Sequence, residues 1–190
     1  MNLSQAALLV IDVQKGFDDP FWGPRNNPEA EANIARIVTA WREAGRPLFH
    51  IFHDSTSLTS PLRPGQPGNL PKPEAEPRGD EPVYRKTVNS AFIGTSLEAD
   101  LRRAGVGTLV VVGLTTNHCV STSVRMAGNL GFDTYVVTDA TATFDRIGID
   151  GRNRPAADVH SAALSDLQEE FATLVATGAV IDAVAPSEGR

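Results

Sequence analysis

One thiol is available to this 190-residue chain, and it directly follows the run Leu109–Val110–Val111–Val112–Gly113–Leu114–Thr115–Thr116–Asn117–His118 as Cys119. Successive β-branched and long apolar residues that stop at a glycine read as a strand buried on both faces. Val120, Val124 and Ala127 then recur among polar residues, with Gly128 and Gly131 beyond, which is the pattern of a short helix and its stop. A cysteine on the first turn of such a helix sits near unpaired N–H groups and the positive end of the dipole, both of which favour thiolate. A small buried hydrophobe is the other role open to it, and the local sequence leaves the two in balance.

Other groups with chemistry in them also sit at the ends of apolar runs. Ala6–Ala7–Leu8–Leu9–Val10–Ile11–Asp12–Val13 reads as a doubly buried strand ending in a carboxylate. In open α/β sheets the carboxyl ends of strands border the ligand crevice, so Asp12 is placed for chemistry. Asp139 closes the strand Phe132–Asp139 and is read as a cap or loop anchor. Lys86 ends the brief strand Val83–Lys86 and, taken alone, is a solvated charge. His53 and Asp54 end the strand Pro47–Asp54, but with four histidines in the chain a dedicated transition-metal centre is not expected.

The elements that must position these groups alternate regularly. A helix is expected over Glu29–Ala44, a second over Ser96–Ala104, the Cys119 helix next, and a long one from Pro155 to a stop at Gly178. Ala179–Val180–Ile181–Asp182 is expected as the last strand, and Ala140–Asp150 as a loop. Strand–helix alternation throughout predicts a three-layer α/β/α sandwich around a mostly parallel, Rossmann-like, six-stranded sheet, in one domain over residues 1–190. Seven prolines between Ser55 and Pro82 make a stiffened excursion that covers the crevice or meets a neighbouring subunit.

Composition narrows the class of function. An apolar share of 41% and a net charge of −6 without a charged tail suit a soluble globular protein, and no basic stripe offers a nucleic-acid surface. No apolar stretch has membrane-spanning length, and Met1–Gln5 lacks the basic start of a secretory signal. A lone cysteine excludes an intrachain disulfide and suits a reducing, cytoplasmic setting. Asp12–Val13–Gln14–Lys15–Gly16–Phe17 has neither nucleotide-binding glycine pattern, so no nucleotide cofactor is expected.

Taken in order, Leu9–Val10–Ile11–Asp12–Val13–Gln14, Arg85–Lys86–Thr87–Val88–Asn89–Ser90–Ala91–Phe92 and Gly113–Leu114–Thr115–Thr116–Asn117–His118–Cys119–Val120 resemble the isochorismatase-like cysteine hydrolase superfamily. Thr122, Arg125, Gly131–Phe132 and Asp139–Ala140 extend the likeness over almost the whole chain. That superfamily includes nicotinamidases, N-carbamoylsarcosine and ureidoacrylate amidohydrolases and a streptothricin hydrolase. The resemblance implies a triad of Cys119 as nucleophile, Asp12 as general base and Lys86 as the cation that stabilises thiolate. It also implies an oxyanion hole from the backbone N–H groups of Thr115 and Cys119, beside a non-proline cis bond at Leu114–Thr115.

The implied activity is cysteine-dependent hydrolysis of a small amide, carbamoyl or lactam-like C–N bond through a thioester, with no cofactor. The competing expectations are an isochorismatase-type ether hydrolase that spares the thiol and an inactive binding homologue. Gln14, Phe17, Trp22, His53, Asn89, Thr116, His118 and Phe144 are expected around the substrate. Nicotinamidases of the family hold a metal through an Asp-x-His element and a second loop histidine; His53–Asp54–Ser55 and a histidine-free loop depart from that pattern, so no metal ligands are assigned. The family's dimers and tetramers imply a homodimer or homotetramer here.

Overall fold

The computed structural model describes Met1 and residues 3–185. Its frame is a parallel sheet of β1 (Ala6–Ile11), β2 (Leu48–His53), β3 (Val83–Lys86), β4 (Thr108–Leu114), β5 (Asp133–Ala142) and, last in the chain, a strand over Thr173–Val175. The spatial order is β3-β2-β1-β4-β5 followed by that last strand, so the chain steps outward in both directions from the β1/β4 pair. The crevice of such a sheet opens at that switch point.

Period-two alternation divides each central strand between two cores. Ala7, Leu9, Ile11, Leu109 and Val111 pack on one face with Leu97, Leu101, Val120, Val124 and Leu164. These come from α2 (Leu97–Arg103), the Cys119 turn, α3 (Ser121–Asn129) and α4 (Ala156–Ser165). Leu8, Val10, Val110 and Val112 face Ile34, Ile37, Val38, Trp41, Val180 and Val184 on the other side. Those belong to α1 (Ala30–Glu43) and α5 (Thr177–Val184). Asp139 accepts from the Thr177 backbone N–H and hydroxyl, both at 2.8 Å, and so anchors the first turn of α5.

Three expectations about the C-terminal third are corrected. The helix expected from Pro155 to Gly178 ends at Ser165, and the last strand is Thr173–Val175. Ala179–Asp182 is helical, because its apolar residues serve a helix face against α1 and β5 as well as they would serve a strand. Within Ala140–Asp150, β5 runs on to Ala142, and β6 (Arg146–Ile147) pairs antiparallel with β7 (Asn153–Arg154). With those two counted, Thr173–Val175 is β8. The expected polar tail falls from residue 186 onward outside the described residues. Among the described residues no helix is long and apolar enough to cross a membrane.

The proline-rich excursion is tied down by amide side chains. Gln14 accepts from the His53 N–H at 2.8 Å and donates to the His53 and Asn69 carbonyls at 3.1 and 3.0 Å. Asn69 in turn donates to the carbonyls of His53 and Leu62 at 3.0 and 2.8 Å. The loop is thereby stitched to the ends of β1 and β2.

One glycine is indispensable to the sheet. Gly113 has φ +126, and a Cβ there would lie 2.0 Å from the carbonyl oxygen of Ile11, where β1 and β4 run side by side. Gly113→Ala is expected to cost about 3 kcal/mol or more. Gly45→Ala, at φ +61 with open space around it, should cost only about 1 kcal/mol. Urea denaturation of the two variants checks the contrast; equal losses would contradict it.

Candidate active site

The ends of β1, β2 and β3 converge on a buried charge pair. Asp12 follows β1 in a left-handed conformation, φ 52, which turns the chain out of the sheet. Lys86 ends β3 opposite His53 of β2, and its side chain crosses that strand end to reach Asp12. The Nζ–Oδ2 distance is 2.7 Å, and both side chains are fully buried. Lys86 also donates to Nδ1 of His53 at 3.2 Å. Burial, reinforced by the Lys86 charge, holds His53 below its ordinary range, so its ring is neutral and can accept that bond.

The thiol arrives from the far side of the switch point. The Leu114–Thr115 peptide is cis, and Thr116–Val120 forms one turn of π-helix that leads into α3. Thr116 is pinned by its hydroxyl, 2.8 Å from Nδ1 of His160 on α4. Cys119 sits on this turn, 8% exposed, with Sγ 3.7 Å from the Asn89 amide oxygen. A carboxylate oxygen of Asp12, a ring nitrogen of His53 and Sγ of Cys119 all lie within 4.8 Å of one another. Oδ1 of Asp12 is buried without a hydrogen-bond partner among the described residues, and so is open to accept a proton.

The electrostatics differ from the sequence expectation of a lowered thiol pKa. Burial, then the neighbouring Asp12 carboxylate, pushes the Cys119 thiol well up, against the opposing pull of Lys86. Burial also raises Asp12, with Lys86 pulling the other way. The resting arrangement is therefore a protonated thiol beside a carboxylate more basic than usual. That suits a base which takes the proton during attack.

Asp12, His53 and Cys119 offer donor atoms at the spacing of a metal site, but they do not fit one. The Lys86 ammonium already lies against Asp12 and His53, so a second cation would be brought against a buried positive charge.

The pocket above Cys119 encloses 130 Å³. Of the residues expected around the substrate, Phe17, Trp22, His53, Asn89 and His118 line it, as do Thr115 and Cys119. Three others are placed elsewhere. Gln14 is fully buried with its amide engaged by the His53 and Asn69 backbone, Thr116 is buried against His160, and Phe144 stacks behind Trp22 with ring centroids 5.6 Å apart. Ser55, Ser60 and Leu62 line the pocket without having been singled out, although the position of their loop after β2 pointed to a crevice cover. A larger recess of 720 Å³ between α3 and α4 does not include the thiol among its walls.

Comparison with known proteins agrees with this geometry. The isochorismatase domain profile matches residues 6–179. The uncharacterized isochorismatase family protein YrdC of Bacillus subtilis (strain 168) is 46% identical over 176 residues, covering 93% of this chain and 94% of its own length. Nicotinamidase 3 of Arabidopsis thaliana is 30% identical, over 92% of this chain and 86% of its own. A crystal structure of an isochorismatase-family protein from Chromobacterium violaceum ATCC 12472 superposes with a TM-score of 0.93 at 47% identity, covering 97% of this chain and 96% of its own.

Removing one member of a buried ion pair leaves the other uncompensated, at a cost of about 3–5 kcal/mol. Lys86→Met is expected to lose that much stability. The double variant Asp12→Asn/Lys86→Met should lose less, since no charge is stranded and asparagine tolerates the left-handed backbone. Chemical denaturation at neutral pH checks the order; a double variant weaker than Lys86→Met would contradict it.

Proposed function

We infer that this chain, which belongs to the isochorismatase-like cysteine hydrolase superfamily, is a cysteine-dependent amidohydrolase of small amide, carbamoyl or lactam-like compounds. The observation that carries this reading is a thiol within 4.8 Å of a buried, lysine-paired carboxylate, at the floor of a pocket sized for a small head group.

In the proposed mechanism Cys119 attacks the carbonyl carbon while Asp12 takes the thiol proton. Lys86 keeps the carboxylate oriented and balances the charge as the proton moves. Negative charge then develops on the substrate oxygen, and the backbone N–H groups of Thr115, just before the π-turn, and Cys119, within it, both lining the pocket, are assigned to receive it. Asp12 gives the proton to the leaving nitrogen, the C–N bond breaks, and a thioester remains on Cys119. Water, deprotonated by Asp12, releases the acid and restores the thiol. Phe17, Trp22, Asn89 and His118 are the proposed walls, with the neutral His53 at one side.

The family match over residues 6–179 supports reading the chain as a single domain. We also propose a cytoplasmic setting, consistent with one reduced cysteine, and a dimer or tetramer, consistent with the solvent-exposed Ile147 and Ile149 on the β6–β7 hairpin.

Ammonia release from nicotinamide, carbamoylated amino acids and ureido acids tests the reaction. Cys119→Ala should lower turnover by roughly 10³-fold or more while the fold is retained. Full ammonia release in that variant would contradict the role of the thiol. Because Asp12 must be ionised to take the proton, kcat/KM should fall with decreasing pH through a point above the ordinary 3.8 of an aspartate. A pH profile flat down to that value would contradict the role of Asp12.

A further inference from the structure

Thr116 and Asn117, on the turn that carries Cys119, are each held by a side chain from another element. The Thr116 hydroxyl lies 2.8 Å from Nδ1 of His160 on α4, and Oδ1 of Asn117 accepts from the Thr143 hydroxyl at 2.5 Å. Both tethers lead back to one dipeptide, Asn26–Asn27, outside the three segments that carry the family resemblance. Asn26 holds Thr143 directly, accepting from its N–H at 2.7 Å and donating to its carbonyl at 3.1 Å.

Asn27 acts through an irregularity in the sheet. Between the pairs Val111–Val136 and Gly113–Thr141, β4 advances two residues while β5 advances five. Carbonyls of the surplus residues leave the ladder and need donors from elsewhere. Asn27, left-handed at φ 43, gives one amide proton to the Thr138 carbonyl at 2.9 Å and the other to the Thr141 carbonyl at 2.8 Å. Its Nδ2 is 3.5 Å from Nε2 of His160 but has no proton left to donate there. The Thr138 carbonyl also accepts from the His160 ring, which assigns the ring proton to Nε2. Burial holds His160 below its ordinary range, so the ring is neutral and its Nδ1 accepts from the Thr116 hydroxyl. With one nitrogen donating and the other accepting, the ring spans the gap between the β5 bulge and the Cys119 turn.

We propose that His160 is a positioning residue for the cysteine chemistry: by accepting from Thr116 while bonded to the β5 bulge, it keeps Cys119 seated against Asp12. Its effect on turnover rests on the amidohydrolase reading of Cys119. Asn27 backs it by fixing the carbonyl to which the ring donates. The Thr143–Asn117 bond remains when the His160 link is cut, so the turn loosens while the fold is kept.

Cys119 is the only cysteine, so iodoacetamide uptake reads this thiol alone. His160→Asn places its amide oxygen where Nδ1 lies and keeps the bond from Thr116, whereas His160→Gln reaches past that point and keeps only the side towards Thr138. In folded protein at neutral pH, His160→Gln and Thr116→Val should each alkylate roughly fivefold or more faster than the native chain, the order of effect of one lost hydrogen bond. Their double variant should match the singles, because both substitutions cut the same bond. His160→Asn and Thr116→Ser, which keep it, should stay within about twofold of the native rate. In ammonia release from an amide substrate, His160→Gln and Thr116→Val should lose a similar factor in kcat with KM nearly unchanged. Native alkylation rates in these two variants, a double variant equal to the product of the singles, or a rise in His160→Asn as large as in His160→Gln overturns the assignment. So does an unchanged kcat in variants of a chain that releases ammonia. The expected alkylation pattern in a chain whose native form releases no ammonia sustains the seating of Cys119 by His160 and counts against the amidohydrolase reading.

Discussion

The ion pair between Asp12 and Lys86 is the constraint to which the rest of the molecule answers. Two charges removed from water cost several kcal/mol each, and only close contact in good geometry offsets this. The sheet supplies that contact by ending β1, β2 and β3 at one level, so that Lys86 reaches Asp12 across His53 at 2.7 Å. The left-handed backbone at Asp12 and the side-chain bonds of Gln14 and Asn69 hold those strand ends in place. Without the lysine, the carboxylate would be an uncompensated charge in the core. With it, the carboxylate is paired at hydrogen-bond distance while burial leaves it more basic than usual, which suits a proton acceptor.

The nucleophile is delivered from the other half of the sheet under a different constraint. Gly113 lets β4 run against the Ile11 carbonyl with no side chain between them, and the π-turn that follows carries the thiol. Thr116 ties this turn to His160 on α4, and Ser123 of α3 accepts from the Ala91 N–H at 3.0 Å, which fastens the Asn89 loop to the same helix. Thiol, amide and carboxylate thus come from separate elements that are locked to one another by buried hydrogen bonds.

Much of this was legible in the sequence because burial on both faces leaves a plain signature. Continuous apolar runs ending in Asp12, His53 and Lys86, and the glycine break before Cys119, mark the strand ends and hence the rim. What was illegible has identifiable causes. A polar residue just past a strand looks the same whether it faces substrate or stitches backbone, so Gln14 and Thr116 read as pocket residues although their side chains are buried against His53 and His160. Val180 and Ile181 suit a strand or a helix face equally, which displaced the last strand from Thr173–Val175. The thiol pKa was misjudged because helix position can be read from sequence, whereas burial and the nearness of Asp12 cannot.

The pH dependence of Cys119 alkylation by a small neutral reagent, in the native protein and in Asp12→Asn, bears most directly on the central claim. A thiol that rests protonated against Asp12 should titrate above the free-cysteine value of about 8.5. Removal of the carboxylate should bring that inflection down. A native inflection at or below the free value, unchanged in Asp12→Asn, would contradict the account.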